Sequence, residues 1–169
     1  NYYELCGISE FELHSYFDDA VEKLAAANGQ DKSEAYDRLK LDYDGYHFCE
    51  DVPGMYNPFS VLSTFRKNAY GNYWFETGTP TYLVELLKRS DFPLDKIDGY
   101  MTGKDILNGI DPDSPIAMIY QSGYLTFKGY DPEFDLVTLG FPNKEVERGF
   151  LLFLLPFYTS VKKDQSNFF

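Results

Sequence analysis

Cysteine is scarce: the chain of 169 residues holds two, Cys6 and Cys49. That excludes a disulfide scaffold, which needs several paired thiols. The two read as free thiols in a reducing compartment, so the expected location is the cytoplasm. Histidine is equally rare, and a four-ligand zinc site would have to recruit His14, His47, Cys6 and Cys49 together. Cations are also few, with 15 Lys plus Arg against 27 Asp plus Glu and a net charge of −12. A duplex-binding surface needs clustered cations to displace counterions. Adjacent cations occur only at Arg66-Lys67, Lys88-Arg89 and Lys162-Lys163, so direct nucleic-acid binding is not expected. No signal peptide is visible, and no apolar run approaches the roughly 18 residues of a membrane span. The longest, "FLLFLLPFY" from Phe150 to Tyr158, is interrupted by Pro156 and reads as a helix buried on several sides.

Aromatic residues are abundant. There are 15 Tyr, 15 Phe and one Trp, 18% of the chain, within a 44% hydrophobic composition. Each buried ring removes roughly 150–250 Å² from water, so the chain can build a core as one compact domain or two small lobes.

The segment "ISEFELHSYFDDAVEKLAAANG" predicts one helix. Ser9 and Glu12 form a capping box, apolar residues recur at helical spacing, and Gly29 ends it. "DKSEAYDRLKLDY" predicts a second. The stretch "LDYDGYHFCEDVPGMYNPFSVL", Leu41 to Leu62, then gathers three tyrosines, two phenylalanines and the turn dipeptides Asp44-Gly45 and Pro53-Gly54. Asn57-Pro58 starts a helix, with Asn as cap and Pro where its missing N–H costs nothing. Thr79-Pro80 and Ser114-Pro115 repeat the device, and Gly123 closes the last of these helices. "YLTFKGYDPEFDLVTLGF" predicts a β-hairpin over about 124–141. A final helix follows, capped by Asn143, with Glu145 and Glu147 in its positive first turn.

Several chemistries fail on the residues. "GYMTGKD", Gly99 to Asp105, is one residue short of a phosphate loop and puts Asp105 where a hydroxyl would hold magnesium, so it reads as an ordinary turn. His47 and Cys49 read as a partly buried pair rather than as zinc ligands or a nucleophile with its base. No carboxylate pair stands out from the acidic background to run a glycosidase. A nuclease Asp followed by Glu-x-Lys on a strand has no convincing setting.

The blocks "YDGYHF", "VPGMYNPFSVL", "NYWFETGTPTYLVELL" and "YQSGYLTFKGYDPEFDLVTLGFPNKEVERGFL" resemble consecutive blocks of the AAA-ATPase-like proteins of anaerobic bacteria, from about Leu5 to about Leu151. The resemblance implies a parent chain with a P-loop ATPase core, this region, and a nuclease-like domain of the PD-(D/E)xK class. ATP and magnesium would belong to that core, because the segments that bind them lie outside this sequence. No catalytic residue, metal or cofactor carries over to this chain. Asn at position 1 and the ending "SNFF" after an apolar helix are read as signs of an excerpt, so self-association is expected. Related ATPases place a Gly-x-Pro turn near the adenine. Two turns here are candidates for nucleotide contact in the parent: Gly45 with Asn57-Pro58, or Gly78-Thr79-Pro80. Tyr43, Asp44, Tyr46, Phe48, Tyr56 and Phe59 are read as an aromatic hinge that turns the chain between helices.

The expected fold is mainly α with a small β-hairpin. Residues 1–92 form a helical lid region and 93–169 a winged-helix-like lobe. The expected function is non-catalytic coupling of the nucleotide state of the ATPase core to the nuclease-like domain. The alternative is an acidic protein–protein interaction module with no nucleotide link.

Overall fold

A computed structural model describes residues 7–47, 52–77, 81–90, 92–107 and 114–165. Among them the chain is mainly α-helical with one small antiparallel sheet. Helices α1 (Glu10–Tyr16), α2 (Asp18–Asn28) and α3 (Lys32–Tyr43) come first, then α4 (Pro58–Lys67) and α5 (Thr81–Ser90). Strand β1 (Tyr100–Gly103), helix α6 (Pro115–Gln121), the hairpin β2 (Thr126–Asp131) and β3 (Leu136–Gly140), and helix α7 (Lys144–Gln165) complete the order.

The caps explain most of the boundaries. The Ser9 hydroxyl accepts from the Glu12 N–H at 3.2 Å while Glu12 Oε2 accepts from the Ser9 N–H at 2.9 Å. Asn57 Oδ1 accepts from the N–H groups of Phe59 at 3.0 Å and Ser60 at 3.3 Å, with Pro58 at the first helical position. Asn143 Oδ1 holds the Val146 N–H at 3.1 Å. Gly29 closes α2 in the left-handed conformation at φ 66°.

Three expectations need correction. The helix predicted across residues 8–29 is two helices, broken at Phe17 (φ −118°, ψ 9°). Phe17 keeps the apolar spacing, so periodicity does not register the break; its ring stacks on Phe65 at 5.7 Å. The "YMTG" of the supposed turn is β1, followed by a 3₁₀ turn over Lys104–Leu107. It pairs with β3 in the register Tyr100↔Leu139, giving the sheet order β1-β3-β2. A four-residue strand whose partner lies far along the chain has too short a pattern to read. Finally, α7 is not buried on several sides. Phe150 and Leu154 are buried, but Leu151, Leu152 and Leu155 are 43%, 59% and 53% exposed, and the helix runs past Pro156 to Gln165.

The buried side chains form two clusters. One joins α1 to α4 through Leu13, Val21, Leu24, Leu39, Tyr43 and Val61. The other surrounds the sheet, with Leu83 and Leu87 of α5, Ile119 of α6, Leu139 of β3, and Phe150 of α7. Helix α5 therefore packs with the sheet. No helix among the described residues is long and apolar enough to cross a membrane.

Candidate functional site

Where the two clusters meet, the segment from Tyr43 to Asn57 is tied to both. On the helical side, Ile8 and Tyr56 exchange backbone hydrogen bonds of 3.1 and 2.9 Å, and the Asn57 N–H donates to the Tyr43 carbonyl at 2.9 Å. Tyr46 and Met55 form a second antiparallel bridge. On the sheet side, the His47 N–H donates to Thr126 Oγ1 at 2.9 Å and that hydroxyl returns a bond to the His47 carbonyl at 3.0 Å. The Asn143 amide donates to the Asp44 carbonyl at 2.9 Å, a contact across 99 positions of sequence. One short segment thus joins the start of α1, the base of the hairpin and the start of α7.

The predicted hinge residues divide. Tyr43 is fully buried; its hydroxyl donates to the Gly71 carbonyl at 3.1 Å and accepts the Gly71 N–H at 3.0 Å. Burial pushes this phenol up to about 12. Tyr46 and Tyr56 are raised further, again first by burial. Burial also raises the Asp44 carboxyl. Phe59 is 48% exposed on the first turn of α4 and does not join the ring cluster. Phe48, Gly78, Thr79, Pro80 and Cys49 lie outside the described residues, so one of the two nucleotide-contact turns has no structural description. His47 is half-buried, as expected, with Nδ1 3.0 Å from the Val52 carbonyl oxygen.

The Tyr56 hydroxyl donates to Glu10 Oε2 at 2.8 Å, and Lys40 Nζ reaches the same oxygen at 3.1 Å. Burial works against the Glu10 carboxylate, yet the bonds from Tyr56 and Lys40 outweigh it and hold Glu10 below its ordinary range. A lowered carboxyl adds stability that is complete above its unfolded pKa and fades as pH falls through the folded one. Tyr56→Phe is expected to cost about 1 kcal/mol at neutral pH, limited by solvent screening of the half-exposed Glu10, and less in acid. Urea unfolding of both proteins at neutral and acid pH checks this.

The other nucleotide-contact turn splits as well. Gly45 has φ 97°, and a Cβ there would lie 2.1 Å from the Pro142 carbonyl oxygen. Its open side is therefore filled by the chain's own backbone. Asn57 and Pro58 instead border a groove of about 360 Å³, with Tyr46, Tyr56 and Trp74 as aromatic walls and Gly123 beside the Trp74 ring. Among the described residues the groove is mainly apolar, with the Asn57 amide as a polar feature and no charged side chain on its walls.

Behind this groove lies a polar group that sequence reading missed. Glu145 lies in the first turn of α7, as expected; it is also only 1% exposed, and its Oε1 accepts the Trp74 backbone N–H at 3.0 Å. Asp42, 3% exposed, takes Arg38 Nε at 2.5 Å and Arg148 Nη1 at 3.4 Å. Ser60 and Thr64 of α4 are fully buried beside them. On a helical wheel Glu145 falls about 100° from Val146, outside the arc marked by Val146, Phe150 and Leu154, so apolar spacing gives no signal of its burial. Among the described residues, no cluster of three or more His, Cys, Asp or Glu is placed to hold a metal ion.

No family model matches the chain. It is 31% identical over 153 residues to a protein of Azotobacter chroococcum mcd 1 described as an uncharacterized protein in the vnfD 5'region. The match covers 86% of this chain and 27% of that protein, so the chain spans about a quarter of its relative's length. No solved structure matches.

Proposed function

We propose that the chain is a non-catalytic lid and winged-helix-like segment of an AAA-ATPase-like protein. It passes the nucleotide state of a P-loop core to a downstream nuclease-like domain. The single observation that supports this most is the double attachment of residues 43–57. The Ile8–Tyr56 bridge fixes the segment to the helices, and the Thr126 and Asn143 bonds fix it to the sheet. A shift of the lid helices would then be carried to the hairpin and α7 through these bonds. A strand, a helix and a hairpin paired as β1-β3-β2 also fit a winged-helix-like lobe. The resemblance stated above supplies the ATPase and nuclease-like parts of the reading, with ATP and magnesium as the parent's ligands. Cytoplasmic location belongs to the same reading.

Within the first candidate turn nucleotide contact falls to Asn57 and Pro58, because the open face of Gly45 is filled, and Gly78-Thr79-Pro80 stays the other candidate. The test uses the full-length parent and a fluorescent ATP analogue. Asn57→Ala removes the amide that borders the groove and is expected to weaken analogue binding several-fold, with a separate loss of about 1 kcal/mol of stability from the cap of α4. Unchanged affinity with an intact fold removes nucleotide contact from this turn. The 169-residue chain alone is expected not to hydrolyse ATP.

A second reading, an acidic protein–protein interaction module, is favoured by one observation. The exposed leucines 151, 152 and 155 form an apolar row on α7 of a chain with net charge −12. Nucleotide-independent behaviour of the parent's seam, together with loss of partner binding in Leu152→Glu, would favour it.

A further inference from the structure

The tip of the β2–β3 hairpin holds one aromatic ring out in solvent. Asp131 Oδ1 accepts from the N–H groups of Glu133 at 2.9 Å and Phe134 at 3.3 Å, which closes the turn. Asp135 follows at φ 52°, a left-handed conformation that Asp tolerates better than most residues. The Tyr130 hydroxyl donates to Asp135 Oδ1 at 2.6 Å, and Lys104 Nζ lies 4.5 Å from the centre of the Tyr130 ring. On this braced turn Phe134 is 66% exposed. Asp131, Glu133 and Asp135 surround it with negative charge, so the tip repels the phosphates of a duplex. A fixed aromatic side chain of this kind is the form an interface anchor takes.

The same chain carries a receiving surface. The groove beside Asn57 and Pro58, about 360 Å³ with aromatic walls, has room for one ring, and among the described residues no charge lines it. Helix α4 above it carries Arg66 and Lys67 and no acid, an exception on a chain of net charge −12. Its outer face runs from Pro58 through Leu62, 49% exposed one turn later, to Arg66. Arg66 is exposed and makes no ion pair among the described residues. Glu10, behind Tyr56, is held by Lys40 at 3.1 Å. An acidic, aromatic tip therefore meets apolar walls and cations here.

Phe134 does not reach the groove of its own molecule. Thr126, at the base of β2, is bonded to His47, next to the Tyr46 wall. The paired strand then runs from Thr126 to Asp131, which carries the tip roughly 16 Å from that base.

We propose that Phe134 of one molecule inserts into the groove between Asn57 and Trp74 of a second copy of this chain. Tip and groove are different patches, so the contact is head to tail and each molecule can give one and receive one. It uses neither nucleotide nor the leucines of α7, so it holds or fails independently of the function proposed above. One ring with its flanking acids covers far less than the roughly 1,200–2,000 Å² of a stable interface, so the contact is transient, with a dissociation constant on the order of 0.1–1 mM.

Trp74 walls the groove and is the only tryptophan, so its signal reports occupancy. The experiment is a dilution series of the chain from about 1 mM to about 20 μM, a range that spans this affinity, read by the Trp74 indole resonance and by translational diffusion in NMR. The expected result is a Trp74 resonance that shifts with concentration in step with slower diffusion. Phe134→Ser removes the anchor and is expected to weaken association about tenfold or more. Leu62→Glu sets an acid over the groove and is expected to do the same. Neither side chain is buried, so both variants keep the fold. Mixed with each other they are expected to regain the Trp74 shift, because one supplies an intact groove and the other an intact tip. Leu152→Glu on α7 is expected to leave the shift unchanged. A Trp74 resonance that ignores concentration, association that survives Phe134→Ser, a mixture of the two variants that stays monomeric, or a shift lost in Leu152→Glu overturns the proposal.

Discussion

Gly45→Ala is expected to cost about 2–5 kcal/mol and to lower the melting temperature by about 5–15 °C, the largest effect of any change in the connecting segment. Two independent penalties add. At φ 97° the backbone occupies the left-handed side, which a Cβ disfavours. A Cβ there would also sit 2.1 Å from the Pro142 carbonyl oxygen and 3.1 Å from its carbon. That obstacle is backbone, and no rotamer change relieves it. Pro142 stands one residue before Asn143, whose amide holds the Asp44 carbonyl, so separating the chains sacrifices that bond as well. Thermal unfolding followed by circular dichroism measures the loss. A variant as stable as the parent sequence would mean that the segment does not pack on Pro142. The same geometry makes Gly45→Ala a poor probe of nucleotide contact, because it disturbs the fold first.

Gly149→Ala is the second. In an exposed helix interior this change gains up to about 1 kcal/mol from propensity alone. Here the sign reverses. A Cβ at Gly149 would lie 2.1, 2.2 and 2.6 Å from Cδ2, Cε2 and Cγ of Phe75. That ring is not free to swing away, because Trp74 meets it edge-on at 5.2 Å and Tyr124 lies at 5.7 Å. Tyr124 in turn packs on Phe150 of α7 at 5.1 Å. Overpacking of this kind costs about 1–3 kcal/mol. A double-mutant cycle with Phe75→Ala isolates the effect: Gly149→Ala is expected to destabilise the native background and to be neutral or stabilising once the ring is gone. Destabilisation of equal size in both backgrounds would contradict the contact.

These two glycines illustrate what the sequence could and could not convey. Caps were legible because each is written in a few adjacent residues: Ser9 with Glu12, Asn57 with Pro58, Ser114 with Pro115, and Asn143. The hairpin was legible because its period of two is local. Gly45 was legible as a turn, but its partner is Pro142, and nothing near either residue announces the other. Strand β1 was hidden for the same reason, since Tyr100 finds Leu139 only in the folded chain. Helix α7 was misjudged because "FLLFLLPFY" is apolar on every face, so the pattern could not say which leucines are covered. Glu145 was legible as a first-turn acid of α7, but its burial was not, because an acid in a first turn has a sufficient local explanation. Its burial comes from Trp74, Ser60 and Asp42, supplied by three separate segments.

The attachment of one connecting segment to both clusters carries the functional account, and hydrogen exchange on the full-length parent tests it most directly. The amides of His47, Gly71 and Trp74 each report a bond that crosses or borders the seam. The account predicts that ATP with magnesium changes exchange at these amides together, relative to the nucleotide-free protein, while amides inside α2 stay constant. Nucleotide that alters the ATPase core and leaves all three seam amides unchanged would contradict it.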